Sequence, residues 1–203
     1  MRKKVQKITV GIIIGIICIS LIGSTFYAIS LPGSDNTEDT QGQEALEQEY
    51  NQRKQAIVEL SAALEKSPED VETQLALADA YYSKASITIQ LNDEEYQEDL
   101  QNAITYYQKV LTQKDDNDVR LKLAISAFLS RDSDLADETY KELIEKEPQN
   151  VDVLYWYGMF QFYSKEDYKQ AEQYWQTALK YNTDGEMKTK LEEMIARAQD
   201  IKP

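Results

Sequence analysis

The stretch that decides the fold is residues 151–183, "VDVLYWYGMFQFYSKEDYKQAEQYWQTALKYNT". In its second half Ala171, Trp175 and Ala178 are four and then three residues apart, a spacing that puts them on one face of a helix. In its first half the small residue Gly158 lies among large aromatic ones. A small residue lets a neighbouring helix approach closely, so the stretch predicts two helices packed against each other.

The same pattern occurs elsewhere in the chain, always with spacings of four, three and five residues. Its first three members share a helix face, and the fourth marks the point where the helix is expected to stop. Three of the four sets follow another helix that carries a small residue at Ala78, Ala124 or Gly158. The sets are Ala56-Leu60-Ala63-Pro68, Ala103-Tyr107-Val110-Asp115, Ala136-Tyr140-Leu143-Pro148 and Ala171-Trp175-Ala178-Thr183.

On these residues the sequence resembles the tetratricopeptide repeat family, in which 34-residue helix–turn–helix units carry a Trp/Leu-Gly-Tyr first helix and an Ala…Phe…Ala…Pro second helix. The resemblance implies an all-α, right-handed solenoid within residues 44–202. It implies about three repeats, at 71–115, 117–148 and 151–183, preceded by an N-terminal half repeat. A capping helix at about 186–199 is expected to cover the open end of the last repeat.

The first repeat departs from this pattern. Ala78 and Ala103 are 25 residues apart, whereas Ala124 and Ala136 are 12 apart. The extra residues include "LNDEEYQED" at 91–99. We expect the first helix of this repeat to run on for extra turns and to be followed by an acidic loop.

The start of the chain is predicted to be a membrane anchor. Residues 1–7 are basic, and residues 8–30 are uncharged and long enough to cross a bilayer as one helix. The positive-inside rule then places the N-terminus in the cytoplasm and the remainder outside the cell membrane. Residues 31–43 are polar and rich in turn-forming residues, which predicts a flexible linker.

A cleaved signal peptide is the competing interpretation, because Ala28-Ile29-Ser30 is compatible with a cleavage site. The apolar run is long for a signal sequence, and Pro32 lies just beyond that site. Cys18 lies in mid-segment behind two isoleucines, which argues against a lipoprotein. The expectation is therefore a single-pass anchor, with cleavage left open.

The composition argues against an enzyme. The chain has no histidine, and Cys18 is its sole cysteine, which excludes His-dependent catalysis, His metal sites and disulfides. The sequence has no phosphate-binding glycine loop, nucleophile elbow or metal-ligand cluster. We predict no cofactor and no metal, and we interpret "DDND" (115–118) and "RDSD" (131–134) as helix caps rather than calcium loops.

The charge of the chain predicts the class of partner. All 36 acidic residues and 18 of the 22 basic ones lie beyond residue 30, so that part of the chain has a formal net charge of −18. Such a surface repels nucleic acid and anionic lipid headgroups. Most of these charges are interpreted as serving solubility, and attraction of a basic partner is the alternative. The resemblance to the repeat family implies that the partner is a protein or peptide.

The resemblance also implies where that partner binds. In this family, first-helix positions 2, 5, 9, 12 and 13 tend to line a concave groove, so the aromatic residues of 155–163 fall partly on it. The alternative is that these large side chains only fill the tight inner curve of a short solenoid. The groove candidates are Tyr82, Ile125, Phe128, Tyr155, Met159 and Phe162.

Two functions therefore compete. The first is a membrane-anchored scaffold or assembly factor that binds protein segments in the groove. The second is a structural or self-associating module in which the helix at 44–66 pairs two chains. The pairing stripe would comprise Leu46, Tyr50, Ile57, Leu60 and Leu64.

Overall fold

The structure is a computed structural model that describes residues 37–182 and 184–201. In these two ranges all regular secondary structure is helical, which confirms the all-α prediction for this part of the chain. The predicted anchor at 8–30 and the basic start at 1–7 lie outside the described residues. None of the described helices is both long enough and apolar enough to cross a bilayer.

Eight α-helices and one π-helical segment occur in the described part of the chain. The helices end near the turns that the repeat pattern indicates. Their bounds are α1 Thr37–Lys66, α2 Val71–Leu91, α3 Asp93–Gln113, α4 Asn117–Leu129, α5 Ser133–Lys146, α6 Val151–Phe160 followed by the π-helical Gln161–Lys165, α7 Tyr168–Tyr181 and α8 Gly185–Ile201.

The helices form two compact units, divided after Val110 within α3. Among the described residues, unit 1 comprises 37–110, and unit 2 comprises 111–182 and 184–201. In unit 1, α1 packs on α2. In unit 2, α4 packs on α5, α6 on α7 and α7 on α8, so that consecutive helices form hairpins.

Short polar side chains start most of these helices. The Asp116 carboxylate accepts hydrogen bonds from the backbone N–H groups of Asp118 and Val119, and Asp132 accepts one from Leu135. Such caps satisfy backbone donors that the first helical turn leaves unpaired. The two aspartate-rich stretches are therefore helix caps in the structure, as the sequence predicts.

Two expectations at the front of the domain are corrected. Residues 37–43 of the predicted linker belong to α1. The predicted acidic loop is also helical, since Asn92 alone separates α2 from α3. Its side-chain oxygen accepts hydrogen bonds from the backbone of Glu94 and Glu95. Acidic residues in a first turn interact favourably with the helix dipole, so this sequence starts a helix.

The extra length of the first repeat holds a buried ion cluster. The Lys84 ammonium lies 2.6 Å from Glu95 Oε1 and 2.8 Å from Asp99 Oδ1. The Thr88 hydroxyl donates to Asp99 at 2.9 Å, and the Tyr50 hydroxyl donates to Glu95 at 2.8 Å. The Lys84 and Asp99 side chains are only 8% and 2% exposed. The cluster joins α1, α2 and α3 through polar contacts.

The apolar stripe of α1 is used inside unit 1. Ile57 is buried, and the other four members of the predicted pairing stripe are half-buried, while most residues between them are exposed. The stripe thus lies on the packed side of the helix. Val58 is the exposed large apolar residue on the described part of α1. This leaves little apolar surface on α1 for pairing two chains.

Unit 2 is built around Trp175. Its side chain is fully buried, and its indole N–H donates to the Tyr155 carbonyl oxygen at 3.0 Å. A Cβ atom placed on Gly158 would lie 2.8 Å from two carbons of the indole ring and closer still to its nitrogen. Gly158 is required because the tryptophan occupies the space where a side chain would lie.

The aromatic residues of α6 form the rest of this core. Tyr157 stacks on Tyr140 with centroids 5.2 Å apart, and Phe160 meets Phe128 edge to face at 5.7 Å. Such pairs contribute about 0.5–1.5 kcal/mol beyond the burial of their area. Much of the aromatic stretch at 155–163 is therefore packing between α4, α5 and α6.

The π-helical segment explains a difference in repeat length. Ala124 and Ala136 are 12 residues apart, but Gly158 and Ala171 are 13 apart. At the end of α6 the Asp167 N–H bonds to the Gln161 carbonyl, six residues back. At the end of α4 the corresponding bond from Asp132 reaches Ala127, five residues back. The additional residue of the last repeat is thus absorbed as a π-bulge, a feature found frequently at functional sites.

Candidate partner-binding surface

The candidate surface is the face of α4 and α6 that carries the predicted groove positions of unit 2; we call it the α4/α6 face. Both are first helices of their hairpins, and they contact each other. The residues at these positions recur every three or four along each helix and so share a side of it. They are Asp118, Leu121, Ile125, Phe128 and Leu129 on α4, and Asp152, Tyr155, Met159, Phe162 and Tyr163 on α6 and its π-helical end.

Five of the six predicted groove residues are buried. Ile125 is 7% exposed, Phe128 4%, Tyr155 2%, Met159 0% and Phe162 5%. Exposure this low is typical of packing residues. The structure therefore assigns them packing contacts, and their direct contact with a peptide remains a prediction.

Tyr82 is the sixth predicted residue and belongs to the other unit. It lies in α2 of unit 1 and is half-buried. The other five all lie in unit 2. Five of the six candidates thus lie on the α4/α6 face of unit 2, whereas Tyr82 lies in unit 1.

The accessible part of the α4/α6 face has a different composition from the predicted groove. Asp118 and Asp152 are exposed in the first turns of the two helices. Leu121, Leu129 and Tyr163 are half-buried. Because α4 and α6 are both first helices, the face has an acidic end at their N-termini and an apolar end at their C-termini.

The acidic end holds two like charges close together. Partial removal from solvent raises the pKa of the Asp152 carboxyl, and the negative charge of Asp118 raises it further. Like charges on neighbouring helices repel each other and favour a bound cation or cationic group. Arg120, on the same helix as Asp118, is instead paired with Asp115 at 2.6 Å and Glu142 at 3.0 Å.

The apolar end is partly covered by α8. The Arg197 guanidinium lies 5.8 Å from the ring centroids of both Phe162 and Tyr163. Burial raises the pKa of the Tyr163 hydroxyl, and Arg197 acts in the opposite direction. Arg197 is not among the predicted groove residues. Its signal in the sequence is its place directly before Ala198, which is buried on α8.

The described residues hold no group of three or more side chains suited to a metal ion. The most buried ionisable cluster, around Lys84, is internally paired.

Comparison with known proteins supports the repeat fold. The model of the family described as tetratricopeptide repeat matches residues 121–186, which span most of unit 2. No curated protein sequence matches the chain. The family match thus covers α5, α6, α7 and α4 from Leu121 onward, and it leaves out Asp118.

A solved structure extends this likeness over most of the chain. The crystal structure of MamA is similar with a TM-score of 0.52 at 14% sequence identity. The match covers 83% of this chain and 95% of the other. At 14% identity the similarity is evidence of a shared fold alone. The tetratricopeptide likeness is therefore shown for residues 121–186, and the chain as a whole has a helical fold similar to that of MamA.

Proposed function

We propose that the chain is a non-catalytic scaffold that holds a protein segment on the α4/α6 face of unit 2. Two findings support this proposal. The tetratricopeptide match covers most of the two hairpins of this face, from residue 121, and proteins of this repeat architecture use extended surfaces to bind partners. The proposal also fits the net charge of −18 beyond residue 30, which favours a basic protein segment over nucleic acid.

The observation that carries the proposal is the pair Asp118 and Asp152. Two neighbouring first helices each present a carboxylate, and the charge of one raises the pKa of the other. Beyond them the face offers the half-buried Leu121, Leu129 and Tyr163. A segment with a basic residue at one end and apolar residues at the other would complement this gradient.

In this proposal the predicted groove residues mainly support the face from beneath. Ile125, Phe128, Tyr155, Met159 and Phe162 hold α4 and α6 in place beneath the accessible side chains. A bound segment would reach four of them at their small exposed edges, whereas Met159 is fully buried and acts by packing. Burial of anchoring apolar groups under a polar rim is a common arrangement in protein interfaces.

We further propose that residues 8–30 anchor the chain in the cell membrane, with the helical domain outside. The support is the sequence alone: a basic start, an uncharged stretch long enough to span, and an acidic remainder. An anchored domain would present the α4/α6 face to partners near the membrane surface.

Topology can be tested by adding protease outside intact cells from which any outer barrier has been removed. Before protease is added, we expect the full-length chain to be retained in the membrane fraction. After protease is added, we expect residues 37–201 to be digested from outside. A mature chain that begins near Leu31 and washes off with salt would contradict the anchor.

Removing the acidic end should weaken partner binding. We expect Asp118→Asn/Asp152→Asn to lower capture of the partner about threefold to tenfold at low salt, since it deletes two charges that attract it. The free energy of unfolding should be nearly unchanged, because the two charges that are removed repel each other and form no stabilising pair with one another. The matched control Glu192→Gln/Glu193→Gln makes the same change in net charge on exposed residues of α8. Equal losses in both variants would contradict a local site.

A further inference from the structure

The C-terminal helix α8 rests on the aromatic end of the α4/α6 face. Arg197 lies over the rings of Phe162 and Tyr163, each 5.8 Å away. Two residues later, the Gln199 amide donates to Glu172 Oε1 on α7 at 2.8 Å. The chain thus places a cationic side chain of its own on the surface that we propose for a partner.

Among the α-helices of unit 2, α8 has the fewest buried residues. Three of its residues are buried: Leu191, Met194 and Ala198. Each of α4 to α7 buries four or more. Terminal elements with few buried contacts open at lower free energy than the core. Opening of α8 would therefore leave the packing around Trp175 in place.

The contacts of α8 define what the surface accepts. The inner face of α8 has apolar residues spaced three and four apart, a guanidinium above two aromatic rings and an amide bonded to a carboxylate. Glu172 is 8% exposed, and its Oε1 also accepts a hydrogen bond from the Gln176 amide on the same helix at 2.9 Å. The carboxylate therefore keeps a donor when α8 opens, so a helix that replaced α8 would need to supply the apolar residues and the cation.

We propose that α8 is a displaceable lid, and that the partner replaces it with an amphipathic helix carrying a cationic side chain. The cation takes the position of Arg197 over Phe162 and Tyr163. Uncovering this end joins it to the acidic pair Asp118 and Asp152, so the partner helix meets aromatic and acidic surface together. This inference rests on the proposed function and names the partner's chemistry and the element that regulates access.

Hydrogen exchange on the full-length protein in detergent tests the lid. We expect amides of α8 to exchange through a local opening, well before those of α6 and α7. Arg197→Ala should increase that opening about threefold to tenfold, the range that loss of a cation–π contact implies. The control Lys188→Ala removes a cation from the same helix, where it pairs only with exposed Glu192, and should leave the opening unchanged. Exchange of α8 only together with α6 and α7 would overturn the lid.

A crosslink that holds α8 on α7 distinguishes failure of the lid from failure of the proposed function. In a Cys18→Ser background, Glu172→Cys/Gln199→Cys can be joined by a short thiol-reactive crosslinker. We expect the joined protein to lose partner capture and the unjoined variant to keep it. Equal capture by both forms would overturn the lid and leave the proposed function standing. A wild-type protein that captures no partner would overturn both.

Discussion

Replacing Lys84 with methionine is expected to lower the free energy of unfolding by about 3–5 kcal/mol, the usual cost of removing one partner from a buried ion pair. Asp99 would keep only the Thr88 hydroxyl as a described donor, and Glu95 only the Tyr50 hydroxyl. A carboxylate that is 2% exposed cannot turn to water to replace the lost ammonium. Urea denaturation followed by circular dichroism measures the loss.

The pH dependence of this loss has a definite sign. Burial already raises the pKa of Asp99, against the opposing effect of Lys84. Without Lys84 it rises further, so the folded variant binds a proton more tightly than its unfolded chain does. The stability that this proton provides is present at low pH and is lost as pH rises through the folded-state pKa. We therefore expect a larger deficit at pH 8 than at pH 5.

Two controls locate the effect in the buried cluster. Lys188→Met removes an exposed partner of Glu192 and should cost less than about 1 kcal/mol. Lys84→Met/Asp99→Leu removes the two most buried charges and leaves Glu95, whose side chain is 27% exposed. It should recover most of the stability, because apolar replacement of a buried pair is often neutral. A small loss in Lys84→Met itself would mean that the cluster is accessible to water.

Gly158→Ala should have the second-largest effect, about 1–3 kcal/mol of destabilisation. The new methyl group would meet the indole of Trp175, which is fully buried and fixed by its bond to the Tyr155 carbonyl. The ring can move only by losing that hydrogen bond. Because both tryptophans lie in α6 and α7, intrinsic fluorescence during urea denaturation reports on this region directly.

The same substitution elsewhere should have the opposite sign. A Cβ atom on Gly42, within α1, would meet nothing within 4 Å. Gly42→Ala should therefore stabilise the helix by up to about 1 kcal/mol, because alanine has the higher helix propensity. Equal stability changes in Gly42→Ala and Gly158→Ala would contradict the close approach of Trp175.

The sequence was sufficient to predict the helical hairpins. Their signal is local: small and large residues at helical spacing, with aspartate and asparagine at the starts of helices. Asp116 and Asp132 cap α4 and α5 because their side chains reach the backbone two or three residues ahead. Such short-range rules operate without knowledge of the rest of the fold.

The long first hairpin was only partly predictable. The extra residues between Ala78 and Ala103 indicated a longer helix, but the acidic composition of 91–99 suggested a loop. Asp99 becomes a core residue because Lys84 lies opposite it across the hairpin. Each of the two residues is about two helical turns from the junction at Asn92. Pairing of two charges across a turn depends on the length of both helices, which composition does not reveal.

The candidate surface was the least predictable feature. Family positions placed Tyr155, Met159 and Phe162 toward a groove, whereas the structure buries all three. The π-bulge at Gln161–Lys165 and the contact of Arg197 with Phe162 alter this end of α6. Both depend on contacts with residues far along the chain, which a count of positions along one helix does not include.

The salt dependence of partner binding tests the central claim most directly. Once a partner has been captured from native membranes, its dissociation constant is measured over a series of salt concentrations. We predict that affinity falls with salt for the wild type, and that Asp118→Asn/Asp152→Asn binds more weakly with a flatter dependence, because the charges that salt screens have been removed. Glu192→Gln/Glu193→Gln should follow the wild type. Identical affinity and salt dependence for all three proteins would contradict binding at the α4/α6 face.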